Sequence, residues 1–333
     1  MYGAPGFTAE QVAKAKKELV KKIPTVLSAA TAEKISAALE GYFGCQEVMD
    51  CPDLNAQITK INYALWPKLF KTNGVNAPEL VYVEIETLVS KLLCENHVLR
   101  PDSLIYKFIF DPRSPKLIKE LFEGIPGAFS AQKDWGTYLF WGMDPGLHRV
   151  RLFLNSAQLH SQHHMYSLPF TPEALQAALK SKQIFPSMML CYVVVALYYG
   201  MKCLGGFSQV NDLTQTKAAW QEFLQCLGFP EEAQAVEPVQ TKELGGDGMV
   251  LSYIQSPSGE TVPSTGIDLL LCPEHAVSDY VALAKKVTLR DMMLPLLPEI
   301  YAVLFPQAQR DPELAAITVQ QIMSQVHLLE KLR

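Results

Sequence analysis

The chain has 333 residues and a formal net charge of −5, with 29 basic and 34 acidic side chains. Hydrophobic residues make up 49% of the sequence and charged residues only 19%, which excludes intrinsic disorder, since a disordered chain needs low hydrophobicity and high net charge. The isoelectric point near 5.8 argues against a dedicated nucleic-acid-binding protein, because such proteins carry a strongly basic face.

The first part of the chain has the apolar periodicity of helices. Thr8 and Gln11 have the spacing of a capping box, and the helix that they begin is expected to end at Pro24. Another helix is expected to begin after Pro78, with Val81 as the first residue of its apolar stripe. Helices are also expected over residues 32–42, 54–70 and 116–122, and a further element over 104–110. The helix after Pro78 has apolar residues at spacings of three and four.

Two segments farther along the chain have the pattern of antiparallel hairpins. The first runs from residue 136 to 154 and contains the turn residues Asp144, Pro145 and Gly146. The second runs from 249 to 271. Between the two hairpins, Thr171 is followed by proline and glutamate, which is the typical start of a helix.

The segment 183–201 contains no charged residue and is the most apolar stretch of the sequence. Pro186 and Ser187 interrupt its start and leave about 14 apolar positions, fewer than the ~20 that a membrane-spanning helix needs. We therefore expect a buried core helix and no membrane span. The remaining chain predicts a polar loop at 230–248 and helices at 214–227, 277–287, 289–304 and 312–332.

These elements predict an α+β fold that is predominantly helical and contains two separated antiparallel β-hairpins. We expect one large globular domain over residues 1–333. The alternative is a helical N-terminal half (1–130) followed by an α+β C-terminal half (131–333). The seven cysteines include no C-x-x-C pair, so the sequence predicts reduced thiols and a soluble, cytoplasmic protein.

Three of the seven histidines, His160, His163 and His164, lie within five residues. If this stretch is helical, the three imidazoles share one face and could act in acid–base catalysis or bind a divalent metal ion such as Zn²⁺ or Fe²⁺. No carboxylate lies within the cluster, and the alternative is a polar loop between a strand and the Thr171 helix.

A second group of polar residues predicts substrate binding. Arg149 and Arg151 alternate on one strand, so their side chains share a face and could hold a carboxylate or a phosphate. The Gly205-Gly206 pair follows the uncharged segment, and backbone amides at such a turn can approach a ligand closely. Gln209 and Asn211 follow the pair and would orient the substrate.

The sequence thus predicts an enzyme that acts on a small organic metabolite, without indicating the reaction. Its pocket is expected between the 136–154 hairpin and the Gly205-Gly206 turn, with a divalent metal ion as a conceivable cofactor. The alternative is a non-enzymatic binding or scaffold protein that uses the apolar C-terminal helices around 292–305 and forms a homodimer. Neither hypothesis includes a nucleic-acid partner.

Overall fold

The computed structural model describes residues 4–21, 29–69, 77–146, 148–161, 166–243, 253–255, 261–264, 277–305 and 307–332. Two compact units are distinguished by their internal contacts. The first unit comprises Met1–Gly6, Pro52–Asn55 and Tyr82–Gly245, and the second comprises Phe7–Cys51, Ala56–Val81 and Gly246–Arg333. Each unit is described by itself.

The N-terminal helices belong mainly to the second unit. At their start, the backbone amide of Thr8 donates to the Gln11 side chain at 2.8 Å and the amide of Gln11 donates to the Thr8 hydroxyl at 3.3 Å, so the predicted capping box is confirmed. The second helix, Ala29–Ala38, continues into a π-helical turn at Leu39–Phe43. The helices are α1 (Ala9–Lys21), α2 (Ala29–Ala38), α3 (Gln46–Met49) and α4 (Leu54–Leu69).

The first unit contains seven helices within its described residues, and two of them end in π-helical turns. The turn Leu93–His97 follows α5 and the turn Val193–Tyr198 follows α9. A π turn is a local widening of the helix, and it often occurs at functional sites. The helices are α5 (Ile85–Leu92), α6 (Leu104–Phe110), α7 (Ser114–Phe122), α8 (Pro172–Lys180), α9 (Met188–Tyr192), α10 (Phe207–Leu227) and α11 (Pro230–Ala235).

Short antiparallel strands complete the first unit and form three small sheets in its described residues, with orders β1-β2, β4-β3-β8 and β5-β6-β7. In the central sheet, Trp141 of β3 lies opposite Arg151 of β4 and opposite Phe185 of β8. The strands are β1 (Phe129–Ser130), β2 (Trp135–Gly136), β3 (Phe140–Met143), β4 (Arg149–Arg151), β5 (Phe153–Asn155), β6 (Gln158–His160), β7 (Ser167–Pro169) and β8 (Ile184–Pro186).

The core of the first unit surrounds α9 and its π turn, whose residues 193–197 are buried. Phe108, Trp220 and Phe223 pack on one another in this core, with ring centroids between 4.9 and 5.7 Å apart. The predicted buried helix is therefore present. No helix in the described ranges combines the length and the apolar character needed to cross a membrane.

The C-terminal part of the second unit has a hairpin, β9 (Tyr253–Gln255) with β10 (Thr261–Pro263), followed by short helices. A second capping box, between Thr288 and Asp291, begins one of these helices. Val287, Met323 and Leu328 form a small buried core. The helices are α12 (Val277–Lys286), α13 (Leu289–Met293), α14 (Leu297–Leu304), α15 (Pro312–Ala315), α16 (Val319–Gln325) and α17 (Leu328–Leu332).

The predicted fold class, α+β and predominantly helical with two antiparallel hairpins, is confirmed. The start of the helix after Pro78 was predicted too early. Glu84 has an extended backbone and caps α5, and Val81 is 77% exposed and not part of a buried stripe. The β-branched residues Val81 and Val83 favour this extended conformation.

Other boundaries differ from the predictions for identifiable reasons. Pro230 begins α11 inside the predicted polar loop, because proline suits a first helical turn and two glutamates follow it there. Ile184–Pro186, at the start of the uncharged segment, forms strand β8, which was not predicted and which pairs with β3. The predicted 312–332 helix is divided into α15, α16 and α17, with new caps at Asp311 and Thr318.

Candidate functional site

His160 ends strand β6, opposite Phe153 on one side and Ser167 on the other. The three histidines would share one face only if this stretch were helical, and His160 is in a strand. His163 and His164 lie outside the described residues. Within the described residues, no three His, Cys, Asp or Glu side chains are arranged to hold a metal ion.

Arg151 is fully engaged by the neighbouring β1–β2 hairpin. Its Nε donates to the carbonyl of Gly136 at 2.6 Å, its Nη2 donates to the carbonyl of Trp135 at 3.2 Å, and its Nη1 donates to the carboxylate of Asp134. The guanidinium also lies 5.0 Å from the ring of Phe153. Each of the three guanidinium nitrogens of Arg151 therefore donates to this hairpin.

Arg149 is arranged differently. Its guanidinium lies over the indole of Trp141, 3.8 Å from the ring centroid, and its side chain is exposed. Within the described part of the chain its guanidinium makes no hydrogen bond or ion pair. Partial burial lowers the pKa of Arg149 and the carboxylate of Glu86 raises it, but the group stays cationic at neutral pH.

The Gly205-Gly206 turn begins a helix, since Gly206 is the N-terminal cap of α10. A Cβ atom at Gly205 would lie 1.9 Å from Oε1 of Gln209, so glycine allows that side chain to lie against the backbone. Asn211 is exposed and donates to the carboxylate of Asp212 at 3.3 Å. No hydrogen bond or ion pair among the described residues joins this turn to Arg149.

A buried polar cluster around His97 was not predicted from the sequence. His97 is 2% exposed, and its Nδ1 lies 2.7 Å from the hydroxyl of Ser103. Its Nε2 lies 3.0 Å from the hydroxyl of Tyr199, which also accepts a hydrogen bond from Asn96 at 3.1 Å. The ring of Tyr198 meets the imidazole edge-on, 5.1 Å away. The two π-helical turns supply both sides of the cluster.

Burial and, to a smaller extent, the positive charge of Arg100 together lower the pKa of His97 to about 4. The imidazole is therefore neutral at physiological pH and has one nitrogen available as an acceptor. Its burial keeps the imidazole away from solvent, whereas Tyr198 and Tyr199 are both exposed. Ser103, six residues after His97, is the one partner of the imidazole that lies nearby in the sequence. The cluster could not be predicted from it alone, because Tyr199 follows about a hundred residues later.

Several cavities are lined by described residues. One of about 390 Å³ lies between α1 and α2 of the second unit, and Lys16, Leu19 and Glu33 line it. In the first unit, a cavity of about 310 Å³ borders Lys202 and Val239. Another of about 290 Å³ lies between α5 and α8.

A comparison of the chain with protein-family models, curated proteins and solved structures finds no match.

Proposed function

We propose that this protein binds a small organic anion at its first hairpin, on the surface formed by Arg149 and Trp141. The observation that carries the proposal is the position of the Arg149 guanidinium. One planar face is covered by the indole at 3.8 Å, while its N–H donors make no hydrogen bond within the described residues.

A guanidinium in this arrangement suits a carboxylate or a phosphate. Its N–H groups form a fork that binds two oxygen atoms at once, and stacking on an aromatic ring fixes the plane of the fork in advance. Trp141 is half-buried and offers an apolar surface for the rest of the ligand. Arg151, two residues away on the same strand, lacks this capacity because its donors are engaged.

We extend the proposal to a cytosolic enzyme that acts on the bound metabolite. The ring of His160 lies 6.1 Å from that of Phe153, and the ring of Phe153 lies 5.0 Å from the guanidinium of Arg151. An imidazole is thus present in the sheet β5-β6-β7, which follows the Arg149 strand in the chain. His160, with His163 and His164, is proposed for acid–base chemistry or metal binding. The absence of disulfides among the described cysteines is compatible with the cytosol.

The test is binding of a panel of carboxylates and phosphate esters to the full chain, measured by calorimetry. We expect Arg149→Gln to weaken binding of the preferred anion at least about tenfold, the loss typical of a charged hydrogen-bonding group. Arg113→Gln is the matched control, because Arg113 is exposed and pairs locally with Asp111. Equal affinity in the wild type and Arg149→Gln would refute the proposal. Metal analysis of the purified protein and of His160→Ala tests the histidine role separately.

A second candidate function is self-association through the C-terminal helices. Leu289, Leu297 and Phe305 are between 43% and 52% exposed in the second unit, and large exposed apolar side chains are common at protein interfaces. Light scattering would show a dimer for the wild type and a monomer for a Leu297→Glu variant. A wild-type monomer at high protein concentration would exclude this function.

A further inference from the structure

A cavity of about 290 Å³ in the first unit is lined by α5, the π turn after it, and the end of α8. Positions 87, 90, 91 and 94 of the first wall lie three or four residues apart and therefore share a helix face. The cavity lies outside the Arg149–Trp141 surface and outside every group that the sequence singled out. The lining residues that matter here are Thr87, Ser90, Lys91, Cys94, Lys180 and Lys182.

The two walls are tied together by hydrogen bonds at one position. The side-chain amide of Gln176 in α8 donates to the carbonyl of Cys94 at 2.8 Å, and the thiol of Cys94 lies 3.9 Å from the carbonyl of Gln176. Burial raises the pKa of the Cys94 thiol, so the thiol is neutral and adds no negative charge to the cavity. The hydrogen bonds between Cys94 and Gln176 thus join the two walls of the cavity directly.

The charge on the cavity wall is predominantly positive. Three lysines line it, against one carboxylate, that of Glu95. Lys91 lies 4.0 Å from Glu95, and Lys182 lies 3.8 Å from Asp53. Lys180 has no ion pair within the described ranges. At least one ammonium group thus has no counter-charge from the described protein.

Ser90 supplies an independent indication of a ligand. Its side chain is buried, the residue being only 7% exposed, and its hydroxyl has no hydrogen-bond partner in the part of the chain that the structure describes. A buried hydroxyl without a partner is costly, and proteins rarely retain one without a reason. Thr87, one turn earlier, has a partner already, since its hydroxyl donates to Glu84 at 2.5 Å.

We propose that this cavity binds the phosphate group of a small phosphate-bearing metabolite. Ammonium groups bind phosphate as point charges without the fixed fork of arginine, and three lysines match a doubly charged phosphate better than a single carboxylate. The hydroxyl of Ser90, which has no hydrogen-bond partner among the described residues, donates to the phosphate. This site is independent of the anion proposed at Arg149.

The test is calorimetric titration of the full chain with inorganic phosphate, glycerol 2-phosphate and succinate. We expect both phosphates to bind more tightly than succinate. Lys180→Gln should weaken phosphate binding at least about fivefold, because it removes the ammonium group that has no ion pair with the residues that the structure describes. Lys119→Gln, on the exposed side of α7, is the matched control and should bind phosphate like the wild type.

Ser90→Ala separates a ligand-binding role from a structural one. The hydroxyl makes no hydrogen bond to the described residues. This variant should therefore keep or raise the unfolding temperature without phosphate while losing several-fold in phosphate affinity. The proposal is overturned if phosphate fails to bind at about 10 mM, if Lys180→Gln and Lys119→Gln bind equally, or if succinate binds tightest. Arg149→Gln should leave phosphate binding here unchanged, which distinguishes a failure at this site from a failure at the hairpin.

Discussion

The hydroxyl of Tyr199 lies 3.0 Å from Nε2 of His97, which joins an exposed side chain to a buried one. Asn96 donates to the same hydroxyl. The other ring nitrogen, Nδ1, lies 2.7 Å from the hydroxyl of Ser103. A neutral imidazole has one donor and one acceptor nitrogen, so protonation of His97 would remove the acceptor from this hydrogen-bond network.

Mild acid should destabilise the first unit through His97. Its pKa is about 4 in the folded protein and near 6.5 in an unfolded chain, so the unfolded state takes up the proton first. The contribution of the neutral ring is complete above pH ~6.5 and declines as the pH falls toward 4, with an upper limit of ~3 kcal/mol.

Chemical denaturation at several pH values checks this expectation. His97→Gln should lose the steep part of the pH dependence between about 6.5 and 4. Tyr199→Phe should retain that dependence and lose about 1 kcal/mol at every pH, the usual size of one hydrogen bond. Parallel curves for the wild type and His97→Gln would contradict the assignment.

Gly136 should not tolerate a side chain. Its φ is +75°, and an added Cβ would lie 2.2 Å from the carbonyl oxygen of Ala128 and 2.4 Å from the Cα of Phe129. Both atoms belong to the backbone of the paired strand region and cannot rotate away. We expect Gly136→Ala to lower the free energy of unfolding by at least ~2 kcal/mol, measured by denaturant titration.

Gly41→Ala is the control for that measurement. No atom lies within 4 Å of a Cβ at Gly41, so alanine should be neutral or slightly stabilising there. A loss at Gly136→Ala no larger than that at Gly41→Ala would show that the hairpin can shift to accept the methyl group.

The ion pair between Asp291 and Lys331 should stabilise the second unit down to strongly acidic pH. Lys331 donates to the carboxylate at 2.8 Å, and together with the amide and hydroxyl of Thr288 it lowers the pKa of Asp291 to about 2. Because the folded pKa lies below that of the unfolded chain, the contribution is present above pH ~4 and lost as the pH falls through 2.

Lys331→Gln should therefore lower the unfolding temperature at neutral pH. The difference in unfolding temperature between this variant and the wild type should become smaller as the pH falls and Asp291 is protonated. Lys285→Gln, at the exposed end of α12, provides a matched change of charge. If both variants shift the unfolding temperature equally, the effect belongs to net charge and not to this pair.

The elements predicted best from the sequence are those whose stabilising partners lie within four residues. The capping box of Thr8 with Gln11 and the cap that Thr171 provides to α8 are both present, the latter with a hydrogen bond of 3.3 Å to Ala174. The helix Leu104–Phe110 has the predicted bounds. In these cases local hydrogen bonding and apolar spacing are sufficient to determine the conformation.

The elements that were not predicted depend on residues far apart in the chain. Tyr199 meets His97 across 102 positions, and strand β8 pairs with the distant strand β3. Lys91 and Lys180 line one cavity although neither is unusual in its own segment. Local sequence patterns do not show which distant residues come into contact, because such contacts result from tertiary packing.

The π-helical turn at Leu93–His97 makes the His97 cluster sensitive to the exact length of the chain. Removing one residue from this turn would restore an ordinary α-helix with all its backbone hydrogen bonds. Every later residue of the helix would nevertheless turn by about 100° around the helix axis. The imidazole would then leave Ser103 and Tyr199, so a deletion that is harmless to the helix would dismantle the polar cluster beside it.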